Sequence, residues 1–205
     1  MLGSQTLIRE RFFDHAMGSQ GVVETADRLA RLVRELGIRL GDSVLVVGCG
    51  ADSLLPPLVV ATGGLAPLVT FDLATGLLGC TCNNGLALPR LCPDAAQLPF
   101  QSHTFAWVIC NAVFPRFAKK MLALRELGRV MGGAGRLVIY HPHGRSGGNT
   151  HPRAGDEPAA PALDQMAAWL RAASLTPLIL RDEPDHYLVV AGHDLVSHGG
   201  TIDAC

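Results

Sequence analysis

The chain has few charged residues and few aromatic ones: 17% of its 205 residues are Asp, Glu, Lys or Arg, and 5% are Phe, Tyr or Trp. Neither sign of charge dominates, with 17 basic side chains against 18 acidic ones. The basic surplus that grips a nucleic-acid backbone or an anionic membrane is missing, so neither is expected as a partner. At 48% hydrophobic the chain is too apolar and too poorly charged to stay disordered. The composition also excludes collagen, a coiled coil and a disulfide miniprotein. What remains is a globular domain. This length favours one domain over two, and such a domain buries roughly 70% of its unfolded surface without needing a disulfide or metal staple.

An uninterrupted apolar run is also lacking. The stretch from Leu54 to Phe71 is the most apolar, but it contains Pro56, Pro57, Pro67 and the pair Gly63-Gly64, so no membrane span is expected. The first sixteen residues, MLGSQTLIRERFFDHA, carry charges where a secretory signal needs its apolar core. The expected location is therefore the cytoplasm. The six cysteines, at 49, 80, 82, 92, 110 and 205, follow no framework spacing, and reduced thiols are the expectation. Cys80 and Cys82 form C-x-C, one residue short of the metal-binding C-x-x-C, and no metal is expected.

Periodicity divides the chain into an N-terminal helical segment (1–40), a core domain (41–192) and a flexible tail (193–205). Helices are expected over Leu7–Ala16 and Val22–Leu36; in the second, Val23, Ala26, Leu29, Ala30, Val33 and Leu36 recur at helical steps before Gly37 stops it. From Ser43 onward, strands alternate with helices. Strands are expected at 43–47, 68–71, 88–91, 105–110, 136–140, 176–180 and 186–191, and helices from Leu54, from about Ala74, over Ala118–Met131 and over Leu163–Ala173. Gly132-Gly133 is read as the stop of the helix before the fifth strand. The last two strands are joined only by Asp182-Glu183-Pro184-Asp185, too short for a crossover, so they pair antiparallel. This is an α/β architecture: a Rossmann-like, doubly wound, mostly parallel sheet of seven strands with the last one antiparallel.

Ligands of such sheets bind beyond the carboxyl ends of the strands. The residues there are Gly48, Asp72, Asp94, Asn111 and His141. The turn Gly48-Cys49-Gly50 lets a ligand approach the backbone and a helix N-terminus, though any tight strand-to-helix turn accounts for it too. Ser53 breaks the G-x-G-x-x-G of dinucleotide binding, which disfavours a nicotinamide-dependent oxidoreductase. Asp72, 24 residues after Gly48, stands where a carboxylate accepts both hydroxyls of an adenosine ribose, or simply caps the next helix. Asp94 and the backbone N–H of Ala95 suit an adenine edge, or an ordinary surface turn.

The ordered series VLVVGCG, VTFD, DAAQLPF, FAWVICNAVF and LRELGRVMGGAGRLVIYH resembles the class I S-adenosylmethionine-dependent methyltransferases, over roughly Gly41 to Ala191. It is most similar to small bacterial members of the methyltransferase type 11 group, which includes ubiquinone/menaquinone C-methyltransferases. The resemblance implies S-adenosyl-L-methionine as cofactor and a small-molecule acceptor. Gly48, Cys49 and Gly50 would lie under its methionine, Asp72 would hold the ribose and Leu73 would meet the adenine face. Asp94 and Ala95 would read the adenine edge, and Asn111 would approach the sulfonium. The chain departs from the family at Val46, where an acid is usual, at Asp52 in place of a third glycine, and at Ala106 in place of an Asp. These departures leave open a methyltransferase-like binding protein with a degenerate cofactor site.

After the fifth strand comes HPHGRSGGNTHP. Three histidines invite a metal, but no carboxylate or thiolate interleaves with them, and a solvated loop or a substrate site fits as well. On the substrate reading His141 is the catalytic candidate, a base near neutrality. His143, Arg145, Asn149 and His151 are the substrate contacts, on a segment long enough to form a lid.

Overall fold

The computed structural model describes residues 19–48, 54–71, 95–142, 144–145 and 159–194. The expected helices at 7–16 and from Ala74, and the strand at 88–91, lie outside these residues.

Helix α1 (Ser19–Leu36) ends where Gly37 takes a left-handed φ of 74° and donates its N–H to Arg34 O at 3.1 Å. Its Leu29, Leu32 and Val33 are buried against the sheet, so this N-terminal helix shares the core of the domain. Strand β1 (Val44–Val47) is buried at every residue, as a central strand covered on both faces must be. Helix α2 (Leu55–Thr62) begins with two prolines, whose missing N–H groups cost nothing in a first turn, and closes on the left-handed Gly63. Strand β2 (Leu68–Phe71) follows, and then β3 (Phe105–Asn111), a short 3₁₀ turn (Phe114–Arg116), and α3 (Lys120–Val130). Strand β4 (Met131–His141), α4 (Leu163–Ala172), β5 (Leu175–Asp182) and β6 (Tyr187–His193) complete the described elements.

The sheet order is β2-β1-β3-β4-β6-β5. The first four strands are mutually parallel, and β6 runs antiparallel to both β4 and β5. The mostly parallel sheet and the antiparallel last strand are as expected. Six strands are found among the described residues, and the seventh expected strand falls outside them. Helices α3 and α4 cover one face of the sheet, with Leu124, Leu127, Met166 and Leu170 against Val108, Leu137 and Tyr187. Helices α1 and α2 cover the other, around Val46, Ile109, Val138 and Tyr140.

One boundary differs from the expectation. Gly132-Gly133 does not end the helix. The helix stops at Val130, and Met131 is already extended and paired with Phe105, so both glycines lie inside β4. Pairing across the sheet has overridden the weak strand propensity of glycine. Strand β5 carries Pro177, where the register with β6 slips before Ile179; an edge strand tolerates the lost N–H there.

Candidate active site

The carboxyl ends of β1, β3 and β4 lie side by side. Val47 is level with Cys110, and Asn111 is level with Tyr140. Beyond β1, Gly48 takes a φ of 77°, and a Cβ there would lie 2.5 Å from Asn111 O and 2.6 Å from Val113 Cβ. No other residue fits: the turn after β1 passes directly over the backbone that ends β3. That backbone is strained in turn. Ala112 sits in the left-handed region at φ 54°, its N–H held by Tyr140 O at 2.8 Å.

The side chain of Asn111 is buried, and neither its amide nitrogen nor its oxygen has a hydrogen-bond partner. An orphaned buried polar group costs roughly 1–3 kcal/mol, which makes Asn111 a candidate contact for a bound group. Alternation along the strands puts Asn111 with Ile109 on the α1/α2 face, whereas His141 falls with Leu137 and Ile139 on the α3/α4 face. The two candidates therefore stand at the same end of the sheet but on opposite sides of it.

His141 is 4% exposed and its Nε2 has no partner. Burial lowers its pKa from the ordinary 6.5 to about 4, so the ring is neutral at physiological pH. It is not the near-neutral base that its position alone suggested. Because the native state refuses a proton that the unfolded chain accepts, stability should fall as pH drops from about 6.5 towards about 4. Melting curves across that range check this. His141→Gln is expected to flatten the dependence, and an unchanged slope would refute the assignment.

Ala95 is fully buried, and the chain after it is held by an unexpected pair. Glu126 Oε1 accepts the N–H of Leu98 at 2.8 Å, while Arg129 Nη2 donates to Leu98 O at 3.2 Å. The two side chains bind each other at 2.7 and 2.8 Å, and Arg129 pulls the Glu126 pKa below its ordinary value. Together they read both backbone groups of Leu98 as a neighbouring strand would.

Arg145 is half-exposed, and its guanidinium lies 3.9 Å from Asp182. Its carbonyl accepts the N–H of Ala160 at 2.9 Å, which closes the base of the long segment after β4. The expected site residues Cys49, Gly50, Asp72, Leu73, Asp94, His143, Asn149 and His151 lie outside the described residues, as does Asp52. Val46 is fully buried in the core, and Ala106 donates its backbone N–H to Ser43 Oγ at 3.0 Å. Sequence reasoning missed Tyr187, fully buried with its hydroxyl unpartnered, opposite His141 in the sheet.

This fold, a mostly parallel sheet with one antiparallel strand near its edge, is shared by solved methyltransferases. A methyltransferase from Aquifex aeolicus described as dependent on S-adenosylmethionine shares it, at 17% identity over 89% of this chain and 97% of that one, with a TM-score of 0.65. So does the 1,6-didemethyltoxoflavin-N1-methyltransferase of Burkholderia thailandensis, solved with S-adenosylhomocysteine bound (15% identity, 93% of this chain and 89% of that one, TM-score 0.57). Residues 45–139 match the family model described as a methyltransferase domain. Demethylmenaquinone methyltransferases of Mycobacterium tuberculosis and Mycobacterium bovis are 27% identical over 113 residues, 55% of this chain. The match spans about half, 47%, of the length of those relatives. Among the described residues no helix is long and apolar enough to cross a membrane.

Proposed function

We propose that this protein transfers a methyl group from S-adenosylmethionine to a small-molecule acceptor bound at the carboxyl ends of β1, β3 and β4. The observation that carries the reading is Gly48. It is held in a left-handed turn against the end of β3, so close that only a residue without a side chain lets the turn after β1 and the end of β3 meet, as in a glycine turn that presents its backbone to a ligand. The residues present fit the cofactor: the buried amide of Asn111, level with the turn at Gly48, has hydrogen bonds to give and accept.

On this reading Gly48, with Cys49 and Gly50, passes under the methionine moiety; Asp72 and Leu73 take the ribose and adenine face; and Asp94 and Ala95 take the adenine edge. When bound, the cofactor supplies an activated methyl on a sulfonium, open to in-line displacement. The protein orients the acceptor and excludes water. His141 is neutral and too weak a base to ionise an alcohol in advance. It acts through its Nε2, which bonds the acceptor and receives a proton only from a group made strongly acidic by methylation. Arg145, His143, Asn149 and His151, in the sequence that follows β4, are assigned as acceptor contacts. The catalytic location is cytoplasmic.

Thermal melting with S-adenosylhomocysteine tests the proposal. Ligand at ~100 times its dissociation constant should add about 2.7 kcal/mol, and NAD should add nothing. Asp72→Ala should weaken that binding at least about tenfold, the scale of a hydrogen bond to a charged group. A flat titration to millimolar ligand would overturn the cofactor and the activity together.

A further inference from the structure

Tyr187 carries chemistry that no motif marks. The antiparallel register sets it directly opposite His141, on the face shared with Ile139 and Val189. The two rings stand edge to face, their centroids 6.0 Å apart and their planes at 82°. The Tyr187 hydroxyl and the His141 Nε2 are both buried, and neither has a hydrogen-bond partner. An orphaned polar atom on each of two neighbouring buried rings is a cost that a packed core does not keep without use, since phenylalanine would fill the space of Tyr187 more cheaply.

The two strand ends are also held in place. Arg28 of α1 donates from Nη1 to Pro142 O at 2.9 Å and to Asp185 O at 2.6 Å, the carbonyls just after His141 and two residues before Tyr187. Gly144, at φ 70°, packs so closely on the β5–β6 turn that a Cβ would lie 2.9 Å from both Glu183 O and Pro184 O. One guanidinium and one glycine therefore fix the spacing of the pair.

The pair carries no charge. Burial keeps the imidazole deprotonated and raises the phenol above its ordinary pKa. The nearest charges, Asp182 and Arg145, act on Tyr187 in opposite senses and lie 3.9 Å from each other. Asp185 is engaged by His186 at 3.0 Å.

We propose that Tyr187 and His141 form a dry, uncharged seat that binds the acceptor through a neutral hydroxyl, carbonyl or amine group, with Tyr187 as a specificity-determining residue. The proposal rests on the methyltransferase reading above for what is done to that group, but the seat itself is testable without it. A carboxylate or phosphate there would be desolvated, and the Arg145 guanidinium near Tyr187 is already balanced by Asp182, so the seat discriminates against anionic acceptors.

The probes are phenol and benzoate, matched in size and differing in charge, followed by ligand-observed NMR on the whole chain with S-adenosylhomocysteine present. Phenol is expected to bind the native protein, and about tenfold more weakly to Tyr187→Phe; benzoate is expected to bind neither. Tyr187→Phe should melt at or above the native temperature, because the hydroxyl it removes has no partner to lose, and should bind S-adenosylhomocysteine as the native chain does. The seat is refuted if phenol fails to bind the native chain, if it binds both proteins equally, if benzoate competes with it, or if Tyr187→Phe melts more than about 5 °C lower. Failure of S-adenosylhomocysteine to bind the native chain, with the phenol results intact, overturns the methyltransferase reading and leaves the seat standing.

Discussion

Gly48→Ala should lower the melting temperature by about 10 °C and abolish S-adenosylhomocysteine binding. Two costs add. An alanine at φ 77° pays roughly 1–2 kcal/mol for the left-handed backbone. Its methyl would also enter space already filled by Asn111 O at 2.5 Å and Val113 Cβ at 2.6 Å, and overpacking of that kind costs about 1–3 kcal/mol. Neither contact is the free end of a flexible side chain, so relief requires β1 and β3 to separate at their ends. A total of about 3–4 kcal/mol corresponds to roughly 10 °C in a domain of this size. Thermal melting and a ligand titration on the same sample check both parts. A variant that melts within 2 °C of the native protein would show that the turn has room the structure denies it.

Glu126→Ala is expected to cost about 3 kcal/mol, the sum of two hydrogen bonds that involve a charged group. The Leu98 N–H loses its acceptor and Arg129 loses the carboxylate that aims it at Leu98 O. The effect should depend on pH. The Arg129 guanidinium holds the Glu126 carboxyl below its ordinary pKa, so the contribution is complete above the unfolded value of about 4.5 and disappears as pH falls through the lower folded value. Native protein and Glu126→Ala should therefore differ most near neutrality and converge in acid. A constant difference across that range would mean that Glu126 acts by packing alone. Because Leu98 follows Ala95 by three residues, the variant should also loosen the segment proposed to meet the adenine.

Most of the fold was legible because its elements are written in local patterns. The buried run at β1, the helical steps that place Leu29 and Val33 in the core, the glycine after α1 and the short link from Asp182 to Asp185 each forced one conclusion. The start of β4 was not legible, because a glycine pair reads as a stop and only the pairing of Met131 with Phe105 makes it a strand. The site was legible where the rule about strand ends applies. Gly48, Asn111 and His141 all follow from it. Tyr187 did not, because β6 runs backwards and so brings its first residue, not its last, level with His141. The state of His141 was hidden for a different reason: its titration is set by burial among residues distant in sequence, which no spacing encodes. No pattern in the sequence singles out Glu126 and Arg129. Only the fold reveals that they grip a peptide group 28 residues from Glu126.

The edge strand β5 has a consequence for how this protein behaves among copies of itself. Its outward residues include Leu178, 50% exposed, and Leu180, 36% exposed, an apolar pair on the rim of a sheet and thus the usual seed for strand-by-strand stacking between molecules. Pro177 stands next to them without an N–H to offer, and the ladder slips one step further on. An incoming strand would meet an interrupted row of donors and a local bend at the point where it would need to lock. The irregularity in β5 therefore acts as a gatekeeper: it guards the protein against aggregation along this apolar border.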